Sequence, residues 1–245
     1  MHSPPENRQQ AGDFAPTRWS VVVRAREGSD SQRRAAMEAL ARSYWYPLYA
    51  FLRRSGKGAE DAEDLVQEFF ARLLAGRLLD AATPERGRFR TLLLVSLRNF
   101  ATDSHRLASA EKRGGGAQAI PLDAALAEEQ WQADAGGASS PELAFDRAWA
   151  DALLAAVEAR LRREFARVEK GALFEALWPL VNGAPRGESN EAIGIRFGMS
   201  ANAAAAALLR LRDRYAEAVR EEIAQSVSSD EEIEEELRHL LALFS

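Results

Sequence analysis

The stretch NEAIGIRFGMSANAAAAALLRLRDRYAEAVREE, residues 190–222, holds two helical patterns separated by a short turn. Gly198 and Met199 supply the tight turn, and Ser200 is a natural N-cap for the second helix. Two helices joined in this way are typical of a helix-turn-helix. The second helix begins with a run of alanines, so it offers few side chains that can form hydrogen bonds.

Helical periodicity continues through most of the 245-residue chain, and alternating β-branched runs are absent, which predicts an all-α protein. A stretch with two glycine clusters and a terminal Ser-Ser-Pro interrupts the pattern and is typical of a flexible linker. We therefore expect two helical domains joined by this linker. The expected parts are a disordered arm (1–13), the first domain (14–113), the linker (114–140), the helix-turn-helix domain (141–227) and an acidic amphipathic helix (228–245).

The composition argues against several classes of function. The chain has no cysteine, and its three histidines lie in different segments, so no disulfide, thiol chemistry or metal site is expected. No glycine-rich phosphate loop is present, and abundant carboxylates are typical of solvated helix faces. No apolar run is long enough for a membrane span, and the first residues lack the apolar core of a signal peptide. The sequence predicts a cytoplasmic, non-enzymatic protein with no cofactor and no membrane insertion.

The net charge of −5 conceals an asymmetry along the chain. Residues 1–115 carry an excess of five positive charges, and the remainder carries an excess of ten negative charges. The segment 86–113 alone holds seven basic side chains against two acids. A local basic stripe of this kind is suited to binding phosphate groups, whereas the total charge mainly reports solubility.

The helix predicted within this basic segment has apolar residues on one side. Its polar side chains are therefore expected to face outward, namely Arg90, Arg98, Asn99 and Arg106. The preceding helical pattern, DAEDLVQEFFARLL (61–74), has acids crowded into its N-terminal turns. Acids in this place are favoured by the helix dipole whatever the function, so dipole stabilisation and a docking face are both open interpretations.

Four ordered segments resemble the bacterial RNA polymerase sigma factors of the extracytoplasmic-function type, in the sigma-70 family. They are DAEDLVQEFFARLL (61–74), ERGRFRTLLLVSLRNFATDSHR (85–106), the linker and the C-terminal helix-turn-helix. The resemblance covers nearly the whole chain. It implies a region 2 helical bundle and a region 4 helix-turn-helix, in a factor that binds core RNA polymerase and directs promoter-specific transcription initiation.

The resemblance also implies which residues act. The acidic helix would dock on the polymerase clamp, and the basic segment would recognise the −10 element and hold the promoter melted, with Asn99 accepting a flipped base. The implied polymerase-binding residues are Asp61, Asp64, Leu65, Gln67, Glu68 and Phe69. The implied DNA-binding residues are Arg86, Arg88, Arg90, Arg98, Asn99 and Arg106 in the first domain and Ser200, Asn202, Arg210, Arg212 and Arg214 in the second.

The second domain departs from the family pattern at its recognition helix. Alanine can contact only a thymine methyl, whereas bidentate base readout requires Arg, Lys, Asn or Gln, and only Asn202 meets this requirement near the helix start. We therefore expect weakened readout of the −35 element. The acidic terminal helix is open to three interpretations, which are structural packing, autoinhibition and recruitment of a partner.

A second function stays open at this point. The chain is then a sigma-like regulator or interaction module, which binds polymerase or another protein without specific promoter readout. The expected partners of a sigma factor are core RNA polymerase and promoter DNA, and the sequence leaves room for an anti-sigma or other regulatory protein. The two functions differ in their relation to DNA, because both keep the helix that docks on the polymerase.

Overall fold

The computed structural model describes residues 19–75, 79, 88–108, 124–134, 139–183, 188–227 and 229–244. These ranges contain helices and no strand, which confirms the all-α prediction. The helices are α1 (Trp19–Glu27), α2 (Asp30–Arg54), α3 (Ala59–Leu74), α4 (Phe89–Ala108), α5 (Ala124–Asp134), α6 (Pro141–Arg167), α7 (Gly171–Val181), α8 (Asn190–Phe197), α9 (Ala201–Ala224) and α10 (Asp230–Leu243). The predicted N-terminal arm, residues 1–13, lies outside the described residues.

The chain divides into two compact helical units. The larger unit is built from Asp13–Leu153 and Ile223–Ser245, and the smaller one contains Leu154–Glu222. These limits differ from the expected domains, because the first half of α6 and the whole of α10 group with the N-terminal helices. The cause is tertiary, since side chains of α6 and α10 pair with side chains of α4 that are distant in sequence.

No single helix in the described ranges has both the length and the apolar character needed to cross a membrane. Among the described helices, α8 and α9 meet those two requirements when they are taken together across the bend between them.

The packing of α3 against α4 follows from their amphipathic patterns. Ala62, Val66 and Phe69 recur at helical spacing in α3 and are fully buried. The ring of Phe69 lies 5.8 Å from the ring of Phe100 in α4. Burying an aromatic or branched aliphatic side chain contributes about 1.5–3 kcal/mol, so packing more than helix propensity holds these helices in place.

The C-terminal half of α2 is surrounded by neighbours. Its residues from Ser43 to Leu52 are buried with the sole exception of Tyr46, so no side of this part of the helix is left to solvent. Trp45 and Tyr49 stack with their ring centres 5.2 Å apart, and Tyr44 meets Phe89 of α4 edge-on. The aromatic cluster of this helix thus forms the centre of the larger unit.

Helix α5 occupies part of the range expected to be a flexible linker. Its Glu128 forms an ion pair with Arg53 of α2 and accepts a hydrogen bond from the hydroxyl of Tyr49. The guanidinium group of Arg53 also lies 5.5 Å from the centre of the Trp131 ring. Residues 124–134 are therefore an ordered helix docked on α2, held by one charge pair and one aromatic side chain.

The ionisation of Glu128 is coupled to this docking. Burial raises its pKa, but hydrogen bonds from Tyr49 and Gln132 and the charge of Arg53 outweigh burial and lower the pKa. A carboxyl group whose pKa is lowered by folding stabilises the fold in its ionised form. Its contribution is present above the unfolded-state pKa and is lost as the pH falls through the folded-state value.

Replacing Glu128 by Gln should loosen α5 from α2, because it removes the charge that Arg53 and Tyr49 hold. We expect the amide protection factors of α5 to fall by about fivefold, corresponding to about 1 kcal/mol for a partly exposed pair. Hydrogen exchange at neutral pH measures this, and the same loosening should occur in the unaltered protein as the pH falls through the lowered pKa of Glu128. Glu129→Gln, an exposed neighbour, is the control. Equal amide protection of α5 in the Glu128 and Glu129 variants would contradict the role of Glu128 in docking α5 on α2.

The smaller unit has its own aromatic core and its own charge network. Phe174 and Trp178 of α7 stack at 5.1 Å, and Tyr215 of α9 meets Trp178 edge-on at 5.1 Å. Arg160 of α6 pairs with Glu221 of α9, and its hydrogen bond lowers the pKa of that carboxyl. The network joins α6 to α9 and so sets the position of α9 within the unit.

The turn between α8 and α9 depends on two glycines. Gly198 adopts a left-handed conformation with φ of 66°, which ends α8. A Cβ atom on Gly194 would lie 2.7 Å from the carbonyl oxygen of Met199, so only glycine allows the chain to approach this closely. The axes of the two helices differ by 104°, within the range of a helix-turn-helix.

Replacing Gly194 by Ala should destabilise the smaller unit by about 1–3 kcal/mol, because the added methyl group must push against backbone. Thermal unfolding followed by circular dichroism would detect this as a lowered transition. The matched control is Gly171→Ala, since the nearest atoms to its added methyl group are at an ordinary distance of 3.7 Å. If both substitutions left the transition unchanged, the close approach at Gly194 would not be a constraint.

Candidate nucleic-acid interface

The start of α4 carries two of the expected DNA-binding arginines, and both are paired with acids. The Nε atom of Arg88 lies 2.5 Å from a carboxylate oxygen of Glu236, and its Nη2 donates to Glu235 at 2.9 Å. Arg90 donates to the same oxygen of Glu236 at 3.1 Å and to Asp146 of α6 at 2.5 Å. Arg88 and Arg90 therefore share one carboxylate of α10.

Arg90 does not face outward as the sequence predicts. It is 8% exposed, and its guanidinium group lies 4.7 Å from the centre of the Trp149 ring. The physical reason is that two acids, Asp146 and Glu236, lie inside this part of the unit and a buried carboxylate requires a cationic partner. Neither acid could be assigned to Arg90 from the sequence, because they are 56 and 146 residues away along the chain.

The middle of α4 remains open to solvent. Arg98 and Asn99 are both exposed, in agreement with the expected orientation. Arg98 forms an ion pair with Glu142 at the start of α6, and its guanidinium group lies 5.8 Å from the centre of the Phe51 ring. An exposed pair of this type contributes little, so a phosphate group can compete for Arg98.

An open groove runs beside Arg98 between the end of α2, α4 and the start of α6. Its lining combines apolar side chains, two cations, two hydroxyl groups and one acid: Phe51, Leu52, Ser55, Lys57, Arg98, Ala101, Thr102, Pro141 and Glu142. Such a mixture can accommodate a flat apolar ring beside an anionic group. Arg86 and the side chain of Arg106 lie outside the described part of the chain.

The expected polymerase-binding residues of α3 do not all share one surface. Asp61, Asp64 and Glu68 are exposed along one side of the helix. Leu65 and Gln67 are half-buried, and Phe69 is fully buried. Phe69 is therefore not part of a docking face in this structure, because it falls on the same helical stripe as the buried residues of α3.

The start of α9 is capped and exposed. The Ser200 hydroxyl accepts a hydrogen bond from the amide of Ala203 at 3.1 Å, as expected for an N-cap. Asn202 and Ala203 are exposed, and Leu209 further along the same helix is 60% exposed. The surface that the first turns of α9 offer, up to Leu209, is thus mainly apolar and carries one amide side chain near the helix start.

The three arginines of α9 have different surroundings. Arg210 is exposed, and Arg212 donates a hydrogen bond to the carbonyl oxygen of Leu180 at 2.9 Å. Arg214 pairs with Glu164 of α6 at 3.2 Å and with Glu221 of α9 at 3.1 Å. Arg214 is therefore engaged within the smaller unit. The acids that engage it were not identified from the sequence, since Glu164 is 50 residues away.

Comparison with known proteins places one segment of the chain in a family. Residues 40–111 match the family model of sigma-70 region 2, a segment that contains α3, α4 and the end of α2. No curated protein and no solved structure gives a significant match. A sigma-70 region 2 implies contact with core RNA polymerase and with promoter DNA during transcription initiation. The match covers less than a third of the chain, and it shows a likeness to sigma-70 region 2 over this segment alone.

Proposed function

We propose that the protein is a non-enzymatic sigma factor of the extracytoplasmic-function type, which acts in the cytoplasm and directs core RNA polymerase to specific promoters. The observation that carries this proposal is the region 2 match over residues 40–111. In this proposal the larger unit recognises the −10 element and holds the promoter melted, whereas the smaller unit contributes weaker readout of the −35 element. An anti-sigma or other regulatory protein is a further partner compatible with this role.

The acidic side of α3 is the proposed polymerase contact. Asp61, Asp64 and Glu68 lie one helical turn apart, and all three carboxylates are exposed. Glu68 is also paired with Arg72, so Asp61 and Asp64 present the more available charge. Exposed charges at an interface chiefly raise the association rate and fix the orientation of the partner.

Reversing the charge of Asp64 with Lys should weaken binding to core RNA polymerase by about tenfold or more, because attraction becomes repulsion. Titration of the labelled protein with core polymerase, followed by fluorescence anisotropy, measures the affinity. Glu38→Lys is the matched control, since Glu38 is an exposed acid on α2, outside the proposed contact. Equal affinities of the Asp64 and Glu38 variants for core RNA polymerase would contradict a contact between α3 and the polymerase.

The exposed part of α4 is the proposed contact with melted promoter DNA. Asn99 offers both a donor and an acceptor to an unpaired base, and Arg98 and Lys57 supply cations for the backbone beside it. The apolar floor formed by Phe51 and Leu52 suits an unstacked base. These features support base capture by the larger unit, with phosphate contacts that hold the strand in position.

The helix pair α8–α9 is the proposed helix-turn-helix of region 4. The crossing angle of 104°, the left-handed Gly198 and the Ser200 cap support this proposal. The recognition surface has one residue suited to bidentate readout of adenine, Asn202. The remaining exposed side chains of the first turns are alanines, which can discriminate only through thymine methyl groups and DNA shape.

Replacing Asn99 by Ala should abolish promoter-dependent transcription, whereas Asn202→Ala should reduce it by about 5- to 150-fold, since one lost bidentate contact costs about 1–3 kcal/mol. Run-off transcription with core polymerase on a genomic fragment library measures both effects and reveals the start sites. Each variant is the control for the other, because each replaces one exposed asparagine by alanine. Asn99 lies in the middle of α4, and Asn202 lies at the start of α9. Unchanged activity of Asn99→Ala would contradict the role assigned to this residue.

A second candidate is favoured by the alanine-rich surface of α9. A sigma-like regulator would bind polymerase through α3 and use α9 to contact a protein rather than DNA. The same transcription experiment separates the two functions. Discrete new start sites support the sigma factor, whereas polymerase binding without start sites supports the regulator.

A further inference from the structure

Helix α10 occupies the anion-binding groups at the start of α4. The carboxylate of Glu236 is shared between Arg88 and Arg90, at 2.5 Å and 3.1 Å, and Glu235 contacts Arg88 at 2.9 Å. Two adjacent acids thus face two arginines that lie two residues apart. Carboxylates and phosphates accept the same charge-assisted hydrogen bonds from guanidinium groups.

The burial of this cluster shows how completely the arginines are occupied. The side chain of Glu236 is 2% exposed, and that of Arg90 is 10% exposed. An incoming phosphate group cannot reach Arg90 while α10 is in place. Arg88 is less covered, with a side chain 27% exposed, but two of its nitrogens already contact carboxylates.

The attachment of α10 to the larger unit is narrow. Ile233, Leu240 and Leu243 are buried, whereas Leu241 and Phe244 are 67% and 55% exposed. The buried side of the helix is completed by Glu236, a charged residue. The described contacts that hold α10 are these three aliphatic side chains, the charge cluster and the contact of His239 with Asp146 at 3.2 Å.

The same pairing extends along α4. Arg98 is paired with Glu142, so each of the three expected phosphate-binding arginines whose side chains the structure describes has an acidic partner. The partners differ in burial, because the Arg98 pair is exposed on both sides and the Arg90 pair is not. Phosphate can therefore displace Glu142 directly, but it can reach Arg90 only after α10 has moved.

We propose that α10 is an intramolecular competitor of nucleic acid for Arg88 and Arg90. In the free protein the carboxylates of Glu235 and Glu236 take the places of two backbone phosphates. Binding of DNA along the start of α4 requires α10 to leave, and the free protein consequently binds DNA weakly. This inference rests on the proposed function, since it takes α4 as the DNA-binding surface.

The test compares three variants, one of them a deletion, with the unaltered protein. One lacks residues 228–245, the second carries Glu235→Gln with Glu236→Gln, and the third is a control with Glu231→Gln and Glu234→Gln. The control removes the same charge from exposed positions of the same helix. The double variant keeps α10 in the chain, so it decides the matter if the deletion fails to fold by circular dichroism.

The probe is a fluorescein-labelled DNA duplex of mixed sequence, because phosphate contacts do not depend on base sequence. Anisotropy titrations at several salt concentrations yield the affinity and its salt dependence. We expect the deletion and the Glu235/Glu236 variant to bind about tenfold more tightly at low salt. The slope of log K against log salt should steepen by about 2, one for each arginine that gains a phosphate. Adding Arg88→Gln to the double variant should cancel about half of the change in slope.

Two results would contradict the proposal that α10 competes with nucleic acid for Arg88 and Arg90. Equal gains in the control variant would mean that only net charge matters, and an unchanged salt slope would mean that Arg88 and Arg90 gain no phosphate. Run-off transcription with core polymerase is scored separately. If the unaltered protein yields transcripts and the variants show no tighter DNA binding, the proposal about α10 is contradicted and the promoter function is not. If the deletion and the Glu235/Glu236 variant bind DNA more tightly and with a stronger salt dependence, but no form yields transcripts, the proposal about α10 is supported and the promoter function is contradicted.

Discussion

The arrangement of three helices depends on the ion pairs of one carboxylate, which is buried in the larger unit. The side chain of Glu236 is almost fully removed from solvent, and such a group is tolerated only with cationic partners. Arg88 and Arg90 provide them, and Asp146 completes the pairing on the other side of Arg90. These pairs hold the start of α4, the first half of α6 and α10 together in the free protein, and in the proposed competition a phosphate replaces each displaced carboxylate as the partner of the arginine.

Charge pairing between distant segments also explains why Arg88 and Arg90, two described side chains of the basic segment 86–113, are covered by acids. The acids of the C-terminal half lie over the arginines of α4 in the larger unit. In the smaller unit Arg160 and Arg214 of α6 and α9 are joined through Glu164 and Glu221. Both units thus use long-range ion pairs to orient helices that their apolar stripes alone would leave free to rotate.

The segment that matches sigma-70 region 2 separates its exposed chemistry onto two helices. The exposed carboxylates of Asp61, Asp64 and Glu68 lie on α3, and the exposed amide and guanidinium groups of Asn99 and Arg98 lie on α4. The core between them, including Phe69 and Phe100, fixes the spacing of the two surfaces. In the proposed function, the polymerase contacts the carboxylates of α3 and the nucleic acid contacts Asn99 and Arg98 of α4.

The sequence by itself determined the helical class, the inward stripes of α3 and α4 and the cap at Ser200, because these depend on residues three or four positions apart. It also carried the family resemblance, whose region 2 part is supported by the match over residues 40–111. Tertiary structure alone decided that α5 docks on α2, that Arg90 turns inward and that Glu236 is buried. These outcomes depend on partners tens to more than a hundred residues away, and helical periodicity holds no information about such partners.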